Sequence, residues 1–181
     1  MEGSSSIVVL GVIALIAREL KRGREIVRSD LGLQERLASN ERFRTVRMQA
    51  LEPVLALVIV GSLLAEDIAH TPLHLGVALA GAVIGAVFGL YRARSTYVGS
   101  VPEHKGLVLR YSVESVAALG LLIVVKLVAE LDALPEGTVF ASIVALLLGF
   151  LLVESGARVV TLVRYYRRDA AAEALAETAA D

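Results

Sequence analysis

Four groups of side chains in this sequence are of types and spacings that do chemistry. Lys126, in LLIVVKLVAEL, places a charge inside an apolar run with Glu130 four residues on. A charge within hydrocarbon is by default a functional feature, pairing with another group or lining an ion path. The lysine's flexible stem also lets it snorkel to the interface beside Glu130, and that reading asks for no function. Ser142 follows the next loop at about the distance at which Lys126 precedes it, so the two share a depth and form a candidate Ser/Lys nucleophile pair. No oxyanion-stabilising feature accompanies them, and no catalytic residue is assigned. In EDIAHTPLH, Glu66, Asp67, His70 and His74 are all ligand types for a transition metal. Thr71 and Pro72 account for the same stretch as a helix N-cap and first helical residue, so no metal site is assigned. Glu154 and Arg158, at i and i+4, sit near the inner end of the last apolar run, with Glu114 at similar depth in the run before it. They read as a structural ion pair ahead of a proton path.

The elements that position these groups follow from hydropathy. Of 181 residues, 56% are hydrophobic and 20% charged, the mean hydropathy is +0.68, and the charges fall in blocks between apolar runs. That pattern belongs to a polytopic membrane protein. A helix needs roughly 20 apolar residues to cross a bilayer. Runs near 48–65, 72–91, 113–131 and 138–157 meet or approach that length, while 3–17 gives only about 22 Å of helix. The expected fold class is an all-α integral membrane protein of five transmembrane helices, or four if 3–17 fails to span. It forms a single domain over 1–168, with a cytoplasmic segment at 18–47 and a frayed tail at 169–181. The segment 18–47 reads as two helical pieces broken around Gly32. The first apolar run is preceded by Glu2 and followed by Arg18, Lys21, Arg22 and Arg24. A cleavable signal peptide has its positive charges first, so this run reads as an uncleaved anchor.

Charge then sets the orientation. Every Lys and Arg except Lys126 lies in 18–47, in 92–112 or after 157, which is one side of the membrane if the runs alternate. The two other connections, EDIAHTPLH and ELDALPEG, carry none. By the positive-inside rule the N-terminus is outside and the C-terminus cytoplasmic, in the cell membrane. The net charge of −1 says nothing about nucleic acid, because the distribution of charge along the chain matters and its sum does not, and no nucleic-acid partner is expected. The alternating Arg and Glu of 18–47 read as a solvated helix face, with contact to anionic lipid or a partner protein as the alternative.

Gly81, Gly85 and Gly89 form the most specific pattern, a G-x-x-x-G-x-x-x-G face in the third run that ends at Arg92 and Arg94. Lipid gives apolar helices no hydrophobic reason to associate, so small residues that let backbones approach are the usual packing device. The neighbour is another helix of this chain or of a partner subunit. Arg92 and Arg94 are the expected cytoplasmic basic contacts. Alternation of Tyr97, Gly99 and Val101, then of Leu107, Leu109 and Tyr111, about PEHKG reads as a short cytoplasmic β-hairpin. The order of ALEPVLALVIVGSLL, a glycine-rich span ending GLYRARST, and a turn reaching KGLVLRYS resembles the CcdC-like membrane proteins over residues 45–131. The resemblance implies an architecture of glycines, R-x-R, strand, Gly turn and strand, and no particular reaction.

Zero cysteines exclude disulfides, thiolate metal sites and cysteine nucleophiles, and histidine is too scarce within the spans for haem. The expectation is a non-enzyme without cofactor or metal, an accessory or assembly subunit whose partners are membrane lipids and other membrane subunits or a second copy of itself. The alternative is a small transporter or channel component, which asks for polar residues near the midplane and for internal repeats. Ser62 is the one polar side chain at the midplanes of the second and third runs, and no repeat is evident.

Overall fold

The computed structural model describes residues 2–110 and 138–180. These residues form five α-helices, α1 (Glu2–Ser29), α2 (Leu31–Arg36), α3 (Val46–His70), α4 (His74–Thr96) and α5 (Thr138–Ala180), and three strands, β1 (Glu41–Thr45), β2 (Tyr97–Val101) and β3 (Gly106–Arg110). Among the described residues three helices, α3, α4 and α5, are long and apolar enough to cross a membrane. The chain is a multi-pass membrane protein. The expectation of five or four spans is corrected to those three, and the hairpin expected about PEHKG is part of a small three-stranded sheet. The run 3–17 is the first half of the longer helix α1, whose second half carries Arg18, Lys21, Arg22, Arg24 and Arg28. The run 113–131 lies outside the described residues.

The chain divides into two compact units. The sheet unit comprises Met1–Glu52, Arg92–Tyr111 and Val159–Asp181, and the apolar unit Pro53–Tyr91 and Ser112–Arg158. In the sheet unit the strand order is β1-β3-β2, antiparallel throughout. The β2–β3 hairpin turns through a 3-10 helix at Pro102–His104 and through Lys105, which takes the left-handed conformation. β1 was expected to be helical. ERFRT instead alternates, with Phe43 and Thr45 buried and Arg42 exposed, which is the period of a half-buried strand. Phe43 pairs with Val108 and lies where a side chain on Gly106 would go, so β3 needs glycine at that position. Beneath the sheet Ala93, Leu107, Leu109 and Leu162 make a core with Val46, Tyr97 and Tyr166 against it.

The break between the first two helices falls at Asp30, two residues before Gly32, because Asp30 Oδ1 accepts the Leu33 N–H and so caps α2. Thr45 does the same for α3, its hydroxyl accepting the Met48 N–H while donating to Glu19 Oε2 of α1 at 2.8 Å. In the apolar unit α3 packs on α5 through Val60 and Leu148, with Leu63, Leu64, Val144, Leu147 and Leu152 around them. α5 has 43 residues, about 65 Å of helix and more than twice a bilayer's hydrocarbon thickness. It continues through 169–180, where the alanine-rich sequence has high intrinsic helix propensity.

Candidate functional site

The glycines of α4 meet the main chain of α5. A Cβ on Gly81 would overlap the Leu146 carbonyl oxygen, and one on Gly85 the Phe150 carbonyl oxygen. On Gly89 it would lie 2.5 Å from the Glu154 oxygen and 3.1 Å from Ala157 Cβ. The contacts advance four residues on both helices, so α4 and α5 run parallel. Gly149 of α5 answers from the other side, its missing Cβ being occupied by the Ala78 carbonyl. Such an approach lets two backbones touch over three turns, with the Phe88 and Phe150 rings closing one flank, their centroids 5.6 Å apart. Gly149 was not picked out from the sequence, because a lone glycine in LLLGFLL has no spacing to mark it.

Glu154 and Arg158 stand on α5 where the glycine contact ends. Arg158 Nε lies 4.0 Å from Glu154 Oε1, and both side chains are buried. Lys126, Glu130 and Glu114 lie outside the described residues, so the Ser142/Lys126 pair and the Lys126/Glu130 neighbourhood do too. Ser142 itself is half-buried on α5. Arg92 and Arg94 separate: Arg94 is exposed while Arg92 is buried. Two residues along a helix is more than half a turn, so the pair cannot share a face. The Arg92 carbonyl accepts the Thr96 hydroxyl at 2.7 Å, which helps to end α4.

At the α3–α4 turn, His74 Nδ1 lies 2.9 Å from Asp67 Oδ2, and His70 Nδ1 2.9 Å from the Glu66 carbonyl. Among the described residues no three potential ligands gather around a common point. α4 begins at His74, two residues after the proline expected to open it, and the turn is closed by the His74 N–H to Thr71 and the Leu75 N–H to Pro72.

Two polar contacts in the sheet unit were not legible in the sequence. The Tyr97 hydroxyl donates to Asp169, and the Tyr97 ring stacks 5.1 Å from Tyr165. Desolvation, and then the Asp169 carboxylate, push the Tyr97 phenol above its usual range. His104, on the hairpin turn, sets Nε2 2.9 Å from Asp30 Oδ2, so one carboxylate caps α2 and holds the hairpin. Gln49 of α3 is fully buried and neither amide atom has a hydrogen-bond partner among the described residues. Pro53, four residues on, has no N–H to give its carbonyl.

No family model, curated protein or solved structure matches the chain. The chemistry therefore rests on the residues themselves.

The Asp30 carboxyl is held below its usual 3.8 by the Leu33 N–H first and His104 second. A carboxyl depressed in the folded state stabilises above its unfolded pKa and loses that contribution as pH falls through the folded value. The hairpin clasp is therefore expected to hold at neutral pH and to open at pH below 3.8. Protease cleavage at Lys105, compared between parent and Asp30→Asn at neutral pH, checks this. The variant should be cut faster, and equal rates would remove the clasp from the account.

Proposed function

We propose that the chain is a non-catalytic accessory or assembly subunit of a larger complex in the cell membrane, with its N-terminus outside and its C-terminus cytoplasmic. The observation that carries this reading is the division of charge. Every Lys and Arg except Lys126 and Arg158 belongs to the sheet unit, while Pro53–Tyr91 and the first half of α5 belong to the apolar unit. A one-sided basic surface is what the positive-inside rule places at the cytoplasm. The parallel course of α4 and α5 supports the same orientation, since the hairpin after α4 and the basic end of α5 then leave the bilayer on one side.

Gly81, Gly85 and Gly89 act as a glycine zipper within the chain, so a partner is met elsewhere. Leu75, Leu79, Val83 and Val87 repeat every fourth residue on α4 and are 48 to 67% exposed. That stripe is the surface for lipid, for a neighbouring subunit or for a second copy.

Extraction in a mild detergent followed by native mass measurement tests the role. The expected species is heavier than the 19.2 kDa chain and carries a second protein or a second copy. A lone monomer would overturn it, and solute flux through vesicles holding only this chain would put a transporter in its place. The absence of native cysteine makes the orientation separately testable. Leu73→Cys should react with an impermeant maleimide on intact cells and Ser39→Cys only after lysis. The reverse pattern would invert the topology.

A further inference from the structure

We infer that the groove between α1 and the start of α3 binds an anionic phospholipid, with the phosphate among arginines and an acyl chain on the leucines below. The groove encloses about 670 Å³ and lies wholly within the sheet unit. Four cations line it, Arg18, Lys21, Arg22 and Arg47, against two carboxylates, Glu19 and Glu25. The carboxylates are engaged: Glu25 lies 4.0 Å from Lys21, and Glu19 lies 4.0 Å from Arg22 and accepts the Thr45 hydroxyl. Arg18 and Arg47 have no carboxylate within ion-pair distance among the described residues, so both guanidinium groups are left for an outside anion. One comes from each helix, and the planar fork of each can give a phosphate two donors.

The apolar lining names the rest of the ligand. Leu15, Ala50 and Leu51 line the same groove, and Leu15 is 48% exposed. Leu51 also opens the apolar run of α3, so the groove passes from cation to hydrocarbon along its length. A free phosphate has no use for that wall, whereas a lipid has both parts. Basic pockets beside membrane helices take lipid headgroups on these grounds. The inference rests on the membrane character of the chain and does not need the accessory role.

The test uses the full chain in detergent, exposed to phosphatidylglycerol or to phosphatidylcholine, with retained lipid read by native mass spectrometry. Phosphatidylglycerol should be retained and phosphatidylcholine should not. The double variant Arg18→Gln/Arg47→Gln should lose retention about tenfold, since each interfacial cation adds roughly a further factor of a few. The control Arg164→Gln/Arg167→Gln, which removes the same charge elsewhere, should retain it. Inorganic phosphate should fail to displace the lipid. Equal retention by the Arg18/Arg47 variant, equal loss in the control, or displacement by phosphate alone would overturn the proposal. So would a co-purifying protein lost in the Arg18/Arg47 variant while lipid retention is unchanged, which would give the groove to an acidic partner. All four substituted side chains are exposed, and circular dichroism separates loss of binding from loss of fold.

Discussion

Gly85→Leu is expected to separate α4 from α5 and to cost about 3 kcal/mol, the upper end of what overpacking a core usually does. The magnitude follows from what the new side chain would strike. At most core positions an added methylene displaces another side chain, which has rotamers to change. At Gly85 the first added carbon already overlaps the Phe150 carbonyl and lies 3.0 Å from its Cα. A main-chain carbonyl inside a helix is fixed by its own hydrogen bond, so relief requires the helices to part. Parting them exposes Gly81, Gly89 and Gly149 together, because all four contacts lie on one seam. Gly156→Ala provides the contrast. Among the described residues no atom lies within 4 Å of a Cβ there, so only helix propensity changes, and a gain of about 0.5 kcal/mol is expected. Thermal unfolding of the two variants in one detergent should move in opposite directions. If both melt like the parent, the seam does not hold the apolar unit.

That seam shows what a single sequence reveals and what it withholds. The four-residue spacing of Gly81, Gly85 and Gly89 is local and visible, and it marks a face that touches something. The identity of the neighbour is a long-range fact: α5 begins more than forty residues after Gly89. The same limit explains β1. Its two buried residues, Phe43 and Thr45, are set among Arg42, Arg44 and Arg47, so composition reads as solvated helix. The strand exists because β3, far along the chain, offers it an edge. α1 runs unbroken through its charge block because nothing there stops a helix before Asp30, and Lys21 and Glu25 are spaced to support one. The opposite faces of Arg92 and Arg94 could be read from their spacing, but which of them faces inward depends on packing that no local pattern carries. The Asp30–His104 and Tyr97–Asp169 contacts join residues over seventy positions apart and left no trace in any window.

Glu154→Leu is expected to cost about 3 kcal/mol or more, and the double variant Glu154→Leu/Arg158→Leu to cost less than the single one. Both side chains are about 95% buried, at 6% and 5% exposure. Removing one partner of a buried pair leaves the other charge with less to solvate it, whereas removing both takes that demand away. The order of the two effects is what distinguishes a pair from two independent residues. Were each engaged mainly with other groups, the losses would add and the double variant would be the worst of the three. Stability measured for parent, both singles and the double in the same detergent gives the coupling directly. Glu154→Gln separates structure from transport. It keeps the shape and removes the charge, so an ion pair predicts a lower melting temperature. A proton path predicts a fold of parental stability whose proton flux in vesicles is abolished. A destabilised Glu154→Gln without any flux in the parent would place this charge with the packing of α5, at the last glycine contact, as a lock on the same seam.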